Sequence, residues 1–362
     1  MKQFAVFILA FLLALSGCAP KTEIESPAVS VSESTVTPAP QTPDAVTDLS
    51  GGSGSDELSI EPTWSYPGSD NWQMTGQIGG TTKALFRQGD FLYLGSGLHV
   101  LVLNVADPEA IQVLGTSPML PQFIENISGD EEGHLLVSCG SGGLVILNVS
   151  NSSAPTISGY LDTMGYTENA TPFGRYVVLA DGPQGVQIVD VSDIQNPVIV
   201  SEAYPLAYVY DVAIEGNTAY AAGGGSGLFT IDLSDPEKPV EAGMIQLNGC
   251  QYDAEIVNAR LYLAGAWGGV SAFDLSSPLA PELVTNTETT GWAMALVSAD
   301  DDLLVLDGAD GAMLYDLASS QPELLSTFTL FGFIGSGAME GNSVFLLDEE
   351  FGLVSVDYSD KS

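Results

Sequence analysis

The chain has little positive charge. Across 362 residues, 8 lysines and arginines face 46 aspartates and glutamates, a formal net charge of −38. From residue 59 onward the balance is 39 acids to 6 bases. Such a body repels phosphate backbones, which argues against nucleic acid as a partner. The same acidity suits a soluble, exported surface. Histidine is scarce as well: His99 and His134 are the only two. They fall in non-equivalent positions, so they read as strand residues and not as a ligand pair. Arg87, Arg175 and Arg260 are scattered and cannot form the arginine cluster that a carboxylate-binding hydrolase of the sialidase type needs. No P-loop, nucleophile–base pair or Cys/His metal spacing is present. Of the three cysteines, Cys139 and Cys250 lie three repeats apart, too far for a disulfide between them. Both read as buried free thiols.

After the first twenty residues no long stretch has helical apolar spacing, and only 15% of residues are charged. What the chain does have is 40 glycines, 20 prolines and 45% hydrophobic residues. That composition describes a turn-rich all-β protein with enough apolar surface for a sizeable core.

The N-terminus reads as an address. Lys2 is followed by an apolar run from Phe4 to Leu15, too short for the roughly 20 residues that span a bilayer but suited to an export signal. The run ends in Leu15-Ser16-Gly17-Cys18, which resembles the bacterial lipobox. That resemblance implies a signal peptide over 1–17, cleavage before Cys18, and lipidation of its thiol with diacylglycerol and palmitate-type chains. Two or three chains give stable membrane anchoring. Residues 18–58, rich in Ser, Thr and Pro, carry too few apolar groups to fold and read as a flexible linker.

The region 59–362 is built on a repeat. The Asp or Asn closing an apolar strand recurs at Asn104, Asn148, Asp190, Asp232, Asp274, Asp316 and Asp357, at intervals of 44, 42, 42, 42, 42 and 41. Apolar residues flank this anchor at −1 and +1, and another stands at −4 on the opposite side of the strand, so both faces are buried. Small residues follow, then Asp, Asn or Ser, and in the middle copies Pro155, Pro197, Pro239 and Pro281. These are strand-exit residues. An upstream hairpin and a downstream strand make four antiparallel strands per copy. Seven such copies predict a seven-bladed β-propeller, with a β-solenoid as the alternative. The last copy lacks a fourth strand, and an orphan strand at Trp72 to Ile78 precedes the first. The expectation is therefore a ring closed by the N-terminal strand.

The pattern G-[VL]-x-[IV]-[VI]-D-[VL]-S-[DN], clearest at Gly185–Asp193 and Gly227–Asp235, resembles the LVIVD repeat of bacterial and archaeal surface proteins. The resemblance implies a propeller on an exported protein, outside the cell membrane or outer membrane. It brings no defined activity and no catalytic residues.

Two features suggest a binding face. Counting back from the anchors, with one or two extra residues allowed in copies two and three, places Glu125, Glu168, Asp211 and Asp253 at one level of the innermost strands. Carboxylates lining a channel there suit Ca²⁺ or a cationic group; alternatively each accepts a hydrogen bond from the neighbouring blade's backbone. Beside them stand Phe123, Tyr166, Tyr208, Tyr210, Tyr252, Trp292, Phe331 and Phe333, as an aromatic rim or as plugs between blades. Trp267 is expected at the other end of the ring. The leading expectation is a non-catalytic, lipid-anchored module binding an envelope or extracellular protein or glycan. Its rivals are a polymer hydrolase or lyase using channel carboxylates as acid and base, and a purely structural envelope spacer.

Overall fold

The computed structural model of the protein describes residues 73–78, 82–130, 132–204, 207–308, 310–318, 322–329, 332–348 and 352–358. The signal-peptide, Cys18 and linker readings, together with Trp72 and Phe331, lie outside the described residues.

The described chain forms a seven-bladed β-propeller of four-stranded antiparallel sheets, with no helix among the described residues. Blade 4 shows the plan: Asp211–Glu215 innermost, then Thr218–Ala222, Leu228–Asp232 and Val240–Ile245 at the rim. The inner strands of the other blades are Thr82–Gln88, Asn126–Gly129, Asn169–Phe173, Asp253–Val257, Ala295–Ala299 and Ile334–Glu340. In the seventh blade the strand Gln73–Ile78 runs antiparallel to Gly352–Asp357, in the fourth-strand place.

The anchor strands have the burial that their sequence demands. Val186, Gln187, Ile188 and Val189 are all buried, and the equivalents in blades 4, 5 and 6 repeat the pattern. Because both faces of a blade are apolar, each gap between blades carries its own core. One cluster joins blades 1 and 2 through Val102, Ile127 and Val145; another joins blades 7 and 1 through Phe345, Leu353, Leu92 and Leu103. The inner strands of blades 7 and 1 also lie side by side, so the circle is complete.

The glycine that opens the anchor strand in blades 2 to 6 is fixed by crowding. Gly143, Gly185, Gly227, Gly269 and Gly311 all have φ between +72° and +98°, where side chains are strained. A Cβ there would strike the carbonyl leaving the blade's outer strand, at Leu161, Tyr204, Ile245, Thr287 and Phe328. Outer strands in blades 1 to 6 each take a one-residue register shift against the anchor strand. Such bulges blunt an exposed edge.

The turn Gly216-Asn217 and its counterparts mark one end of the ring; the glycine loops and the loops entering the inner strands mark the other.

Candidate functional site

The entry loops align by hydrogen bonds rather than by counting. Glu125, Glu168, Tyr210, Tyr252 and Met294 each donate their N–H to the last carbonyl of the second strand: Ser138, Ala180, Ala222, Ala264 and Leu306. They therefore share one position. The next residues, Asn126, Asn169, Asp211, Asp253 and Ala295, pair with those same second-strand residues and form the following level. This corrects the expected ring of four acids. Asp211 and Asp253 are equivalent, but Glu125 and Glu168 stand one residue earlier along the strand. The hairpin of blade 2 is one residue longer than the others and that of blade 3 is not longer at all, so the allowance made for extra residues was one too many in each.

The two levels do different work. Ala254 donates its N–H to Asp211 Oδ2 at 2.8 Å, and Leu296 donates to Asp253 Oδ2 at 2.5 Å. Each aspartate thus clamps the backbone of the next blade. Ser128 and Thr171 make the same connection in blades 2 and 3, donating their hydroxyls to Ala170 O and Val212 O. Asp211 and Asp253 also share a hydrogen bond. Burial, then the Asp253 charge, pushes the Asp211 carboxyl well up. Burial raises Asp253 too, against the hydrogen bonds it accepts from Asp211 and Leu296. Further along the same strand, burial lifts Glu255 to about 7, although Ser298 donates to its Oε1 at 2.5 Å. The backbone-clamp alternative therefore describes Asp211 and Asp253.

The earlier level builds the aromatic face. The Tyr166 hydroxyl donates to Glu125 Oε1 at 2.5 Å and the Tyr208 hydroxyl to Glu168 Oε1 at 2.7 Å. In each case the entry-loop ring of one blade meets the acid of the blade before it. In blades 4 and 5, tyrosines replace the acids, and the contact becomes ring on ring. Tyr208 and Tyr210 lie 4.6 Å apart, and Tyr252 stands edge-on to Tyr210 at 4.8 Å. Trp292 packs with Tyr210 and Tyr252 around Cys250. The rings both fill the seams and remain half exposed, so rim and plug are one arrangement. Phe123 is the most open, at 57% exposed, and Phe333 is half-buried over Gly308. Trp267 does not sit at the opposite end: it meets Trp292 edge-on at 6.1 Å. The glycine loop carrying it belongs to the same end as the entry loops, and Ala266 bridges to Ala293.

A column that sequence reasoning missed pins these loops. Asp181, Asp307 and Asp348 are buried at the end of their second strands. Asp181 accepts from the hydroxyls of Thr163 and Thr167; Asp307 accepts from the Gly291 N–H, and Asp348 from the Gly332 N–H. Gly165, Gly291 and Gly332 press directly against these carboxylates and leave no room for a Cβ. An Asp nine residues before the anchor, with a Gly-aromatic pair upstream, was the available signal.

Elsewhere, His99 Nδ1 meets Ser117 O in blade 1, and His134 Nδ1 meets Asp130 Oδ2 in blade 2, at opposite ends of the ring. Asp130 also accepts the backbone N–H groups of Glu132 and His134, so it serves to hold its own turn. Cys139 is a buried free thiol, which burial pushes up to about 12. Cys250 is buried as well, packed against Tyr210, Tyr252 and Trp292.

The fold and this geometry define a β-propeller assembled from blade-to-blade hydrogen bonds and ring contacts. The LVIVD repeat family matches residues 131–163, 164–203 and 207–246, so the chain carries LVIVD repeats across blades 2 to 4. No curated protein matches the chain. Among solved structures it is similar to the Cps50 (Swd1) β-propeller domain of Myceliophteria thermophila, at 12% identity and TM-score 0.65, over 81% of this chain and 99% of that one. The Pan2 WD40 domain of Neurospora crassa is similar at 12% identity and TM-score 0.64, over 81% and 97%. The computationally designed Ika8 protein follows at 10% identity and TM-score 0.59, over 79% and 98%. At such identities the likeness is one of fold alone.

Two substitutions check the clamp. Asp211→Asn keeps a donor for Asp253 and an acceptor for Ala254, and its stability is expected to stay within about 1 kcal/mol of the parent. Asp211→Ala removes the inter-blade acceptor of the Ala254 N–H, which keeps only Asp253 Oδ1 at 2.9 Å, and is expected to cost about 1–3 kcal/mol in denaturant unfolding. Equal, large losses from both would refute the clamp.

Glu255 supplies a pH signature. Folding raises its pKa from 4.5 to about 7, so the folded protein binds that proton more tightly than the unfolded chain. The resulting stability is complete below about pH 4.5 and is lost as pH rises through 7. Glu255→Gln is expected to melt above the parent at about pH 8, with the gap closing toward pH 4.5. Parallel melting curves across that range would contradict this.

Proposed function

We propose that the protein is a non-catalytic binding module, held at the outer surface of a membrane by a lipidated Cys18. The end of the ring carrying the entry loops is its recognition face for an envelope or extracellular partner. The observation that carries this reading is the concentration of half-exposed rings and carboxylates at that end: Tyr166 with Glu125, and Tyr208 with Glu168, continued by Tyr210, Tyr252 and Trp292. Rings with polar tips are the residues that make recognition surfaces. The carboxylates that an acid–base mechanism would draw on are instead committed to neighbouring backbone, which favours binding over turnover. The propeller serves to hold seven entry loops rigidly side by side, and the linker over 18–58 gives that face reach from the membrane.

Anchoring is tested by labelling cells with palmitate: incorporation is expected in the parent and absent from Cys18→Ala. A thioether leaves the Cys18 sulfur unavailable for a disulfide, so peptide mapping without reductant that finds Cys18 oxidised to another thiol overturns the anchor.

Recognition is tested by screening the full chain against envelope proteins and glycans, with Tyr210→Leu and Tyr252→Leu beside the parent. A partner whose binding falls in both variants is the expected result. Partners indifferent to both, or turnover of a polymer by the parent, would overturn the reading.

A further inference from the structure

At the hairpin-turn end of the ring, one backbone bond recurs from blade to blade. The residue after the anchor donates its N–H to the last residue of the hairpin turn. Val105 bonds Asp90 O, Val191 bonds Arg175 O, Leu233 bonds Asn217 O, Leu317 bonds Asp301 O and Tyr358 bonds Asn342 O. Blade 5 departs from this rule. Its turn, Asn258-Ala259, has positive φ at both residues, +53° and +55°, whereas Gly89, Gly174, Gly216 and Gly341 carry a positive φ alone in their turns. A left-handed alanine is strained. Among the described residues, neither the Leu275 N–H nor the Ala259 carbonyl makes the bond that the other blades make there. Leu275 is buried, and a buried N–H without a protein partner is rare.

Ala259 and Leu275 both line a cleft of about 900 Å³ between the hairpin turns of blades 4 and 5 and the exit turn of blade 5. Sites for small ligands have volumes of about 300–1,000 Å³. Asn258 Nδ2 donates to Asp301 Oδ1 at 2.9 Å, which ties this turn to blade 6, on the side away from blade 4. Tyr220, buried on blade 4, donates its hydroxyl to Pro278 O at 2.9 Å and fixes the exit turn across the cleft. Burial, then the Glu215 charge, pushes the Tyr220 hydroxyl up to about 12, so the Glu215 carboxylate acts on this interior.

The lining selects its occupant. Glu215, Asn217, Thr218, Asp274 and Ser276 make it polar, which disfavours an apolar ligand. The two carboxylates repel an anion, as does the net charge of −38. Arg260, whose charge acts on Asp274, stands in the same lining and opposes a cation. Carboxylate, amide, backbone N–H and backbone carbonyl side by side require a partner that donates and accepts at neighbouring atoms. Hydroxyl groups do both without charge.

We infer that the cleft between blades 4 and 5 is a binding site for a neutral saccharide. It lies at the end of the ring opposite the recognition face and does not depend on that reading.

The test is calorimetry on the full chain with maltotriose, cellotriose and chitotriose, and with spermidine as a cationic comparison. At least one trisaccharide is expected to bind. Ser276→Phe places a ring in the cleft from an exposed position and is expected to abolish that binding. Glu215→Ala is expected to weaken it about tenfold, and Glu215→Gln, which keeps an acceptor, to recover most of the loss. Melting curves confirm that each variant is folded; if Ser276→Phe is not, Glu215→Ala against Glu215→Gln decides alone. No binding of any trisaccharide overturns the site, as does binding that Ser276→Phe and Glu215→Ala leave unchanged. Saccharide binding lost in Tyr252→Leu and kept in Ser276→Phe belongs to the other end and overturns the cleft while leaving the recognition face standing. Spermidine bound more tightly than the saccharides, and lost equally in Glu215→Ala and Glu215→Gln, makes the cleft a cation site and overturns the saccharide.

Discussion

A blade of this protein has no outside. Its two middle strands are buried on both faces, so a lone sheet would leave two apolar surfaces in water, and only another blade on each side can cover them. The constraint passes from blade to blade until blade 7 meets blade 1 and Phe345 packs among Leu92 and Leu103. The hydrogen bonds between inner strands follow from the same demand. Once neighbouring blades are driven together, their facing polar groups need partners, and Ser128, Thr171, Asp211 and Asp253 supply them.

The recognition face is a consequence of that packing. Entry loops cross from one blade to the next over the glycine loops, bridging at Thr167, Val209, Gln251 and Ala293. The residues on either side of each bridge necessarily meet their counterparts in the adjacent blade. In blades 2 and 3 the meeting is phenol to carboxylate, and in blades 4 and 5 it is ring to ring. One geometric rule therefore generates two chemistries around the same circle, and the boundary between them falls at Glu168.

Much of the fold was legible because a propeller writes its period into the chain. Anchors 42 residues apart, apolar on both sides and followed by short polar turn residues, specify strands that are buried twice. The opening glycine of blades 2 to 6 was visible too, though its cause, the outer-strand carbonyl pressing on it, was not. The site was harder to read. A single residue of miscounting put Glu125 and Glu168 in line with Asp211 and Asp253, whereas they stand one position earlier along the strand. Trp267 was placed at the wrong end because a glycine-rich turn gives no sign of which pole of the ring it occupies.

Sequence alone determined the number of repeats, the strands and turns within each, the acidity, and the scarcity of bases and histidines, because these depend on local patterning and composition. Tertiary structure decided which acids are clamps and which are partly buried partners of tyrosines. It also brought Trp267 to Trp292 and left the described cations at one end. Those outcomes depend on contacts between blades about 40 residues apart, and the register of such contacts is settled only when two buried faces close on each other.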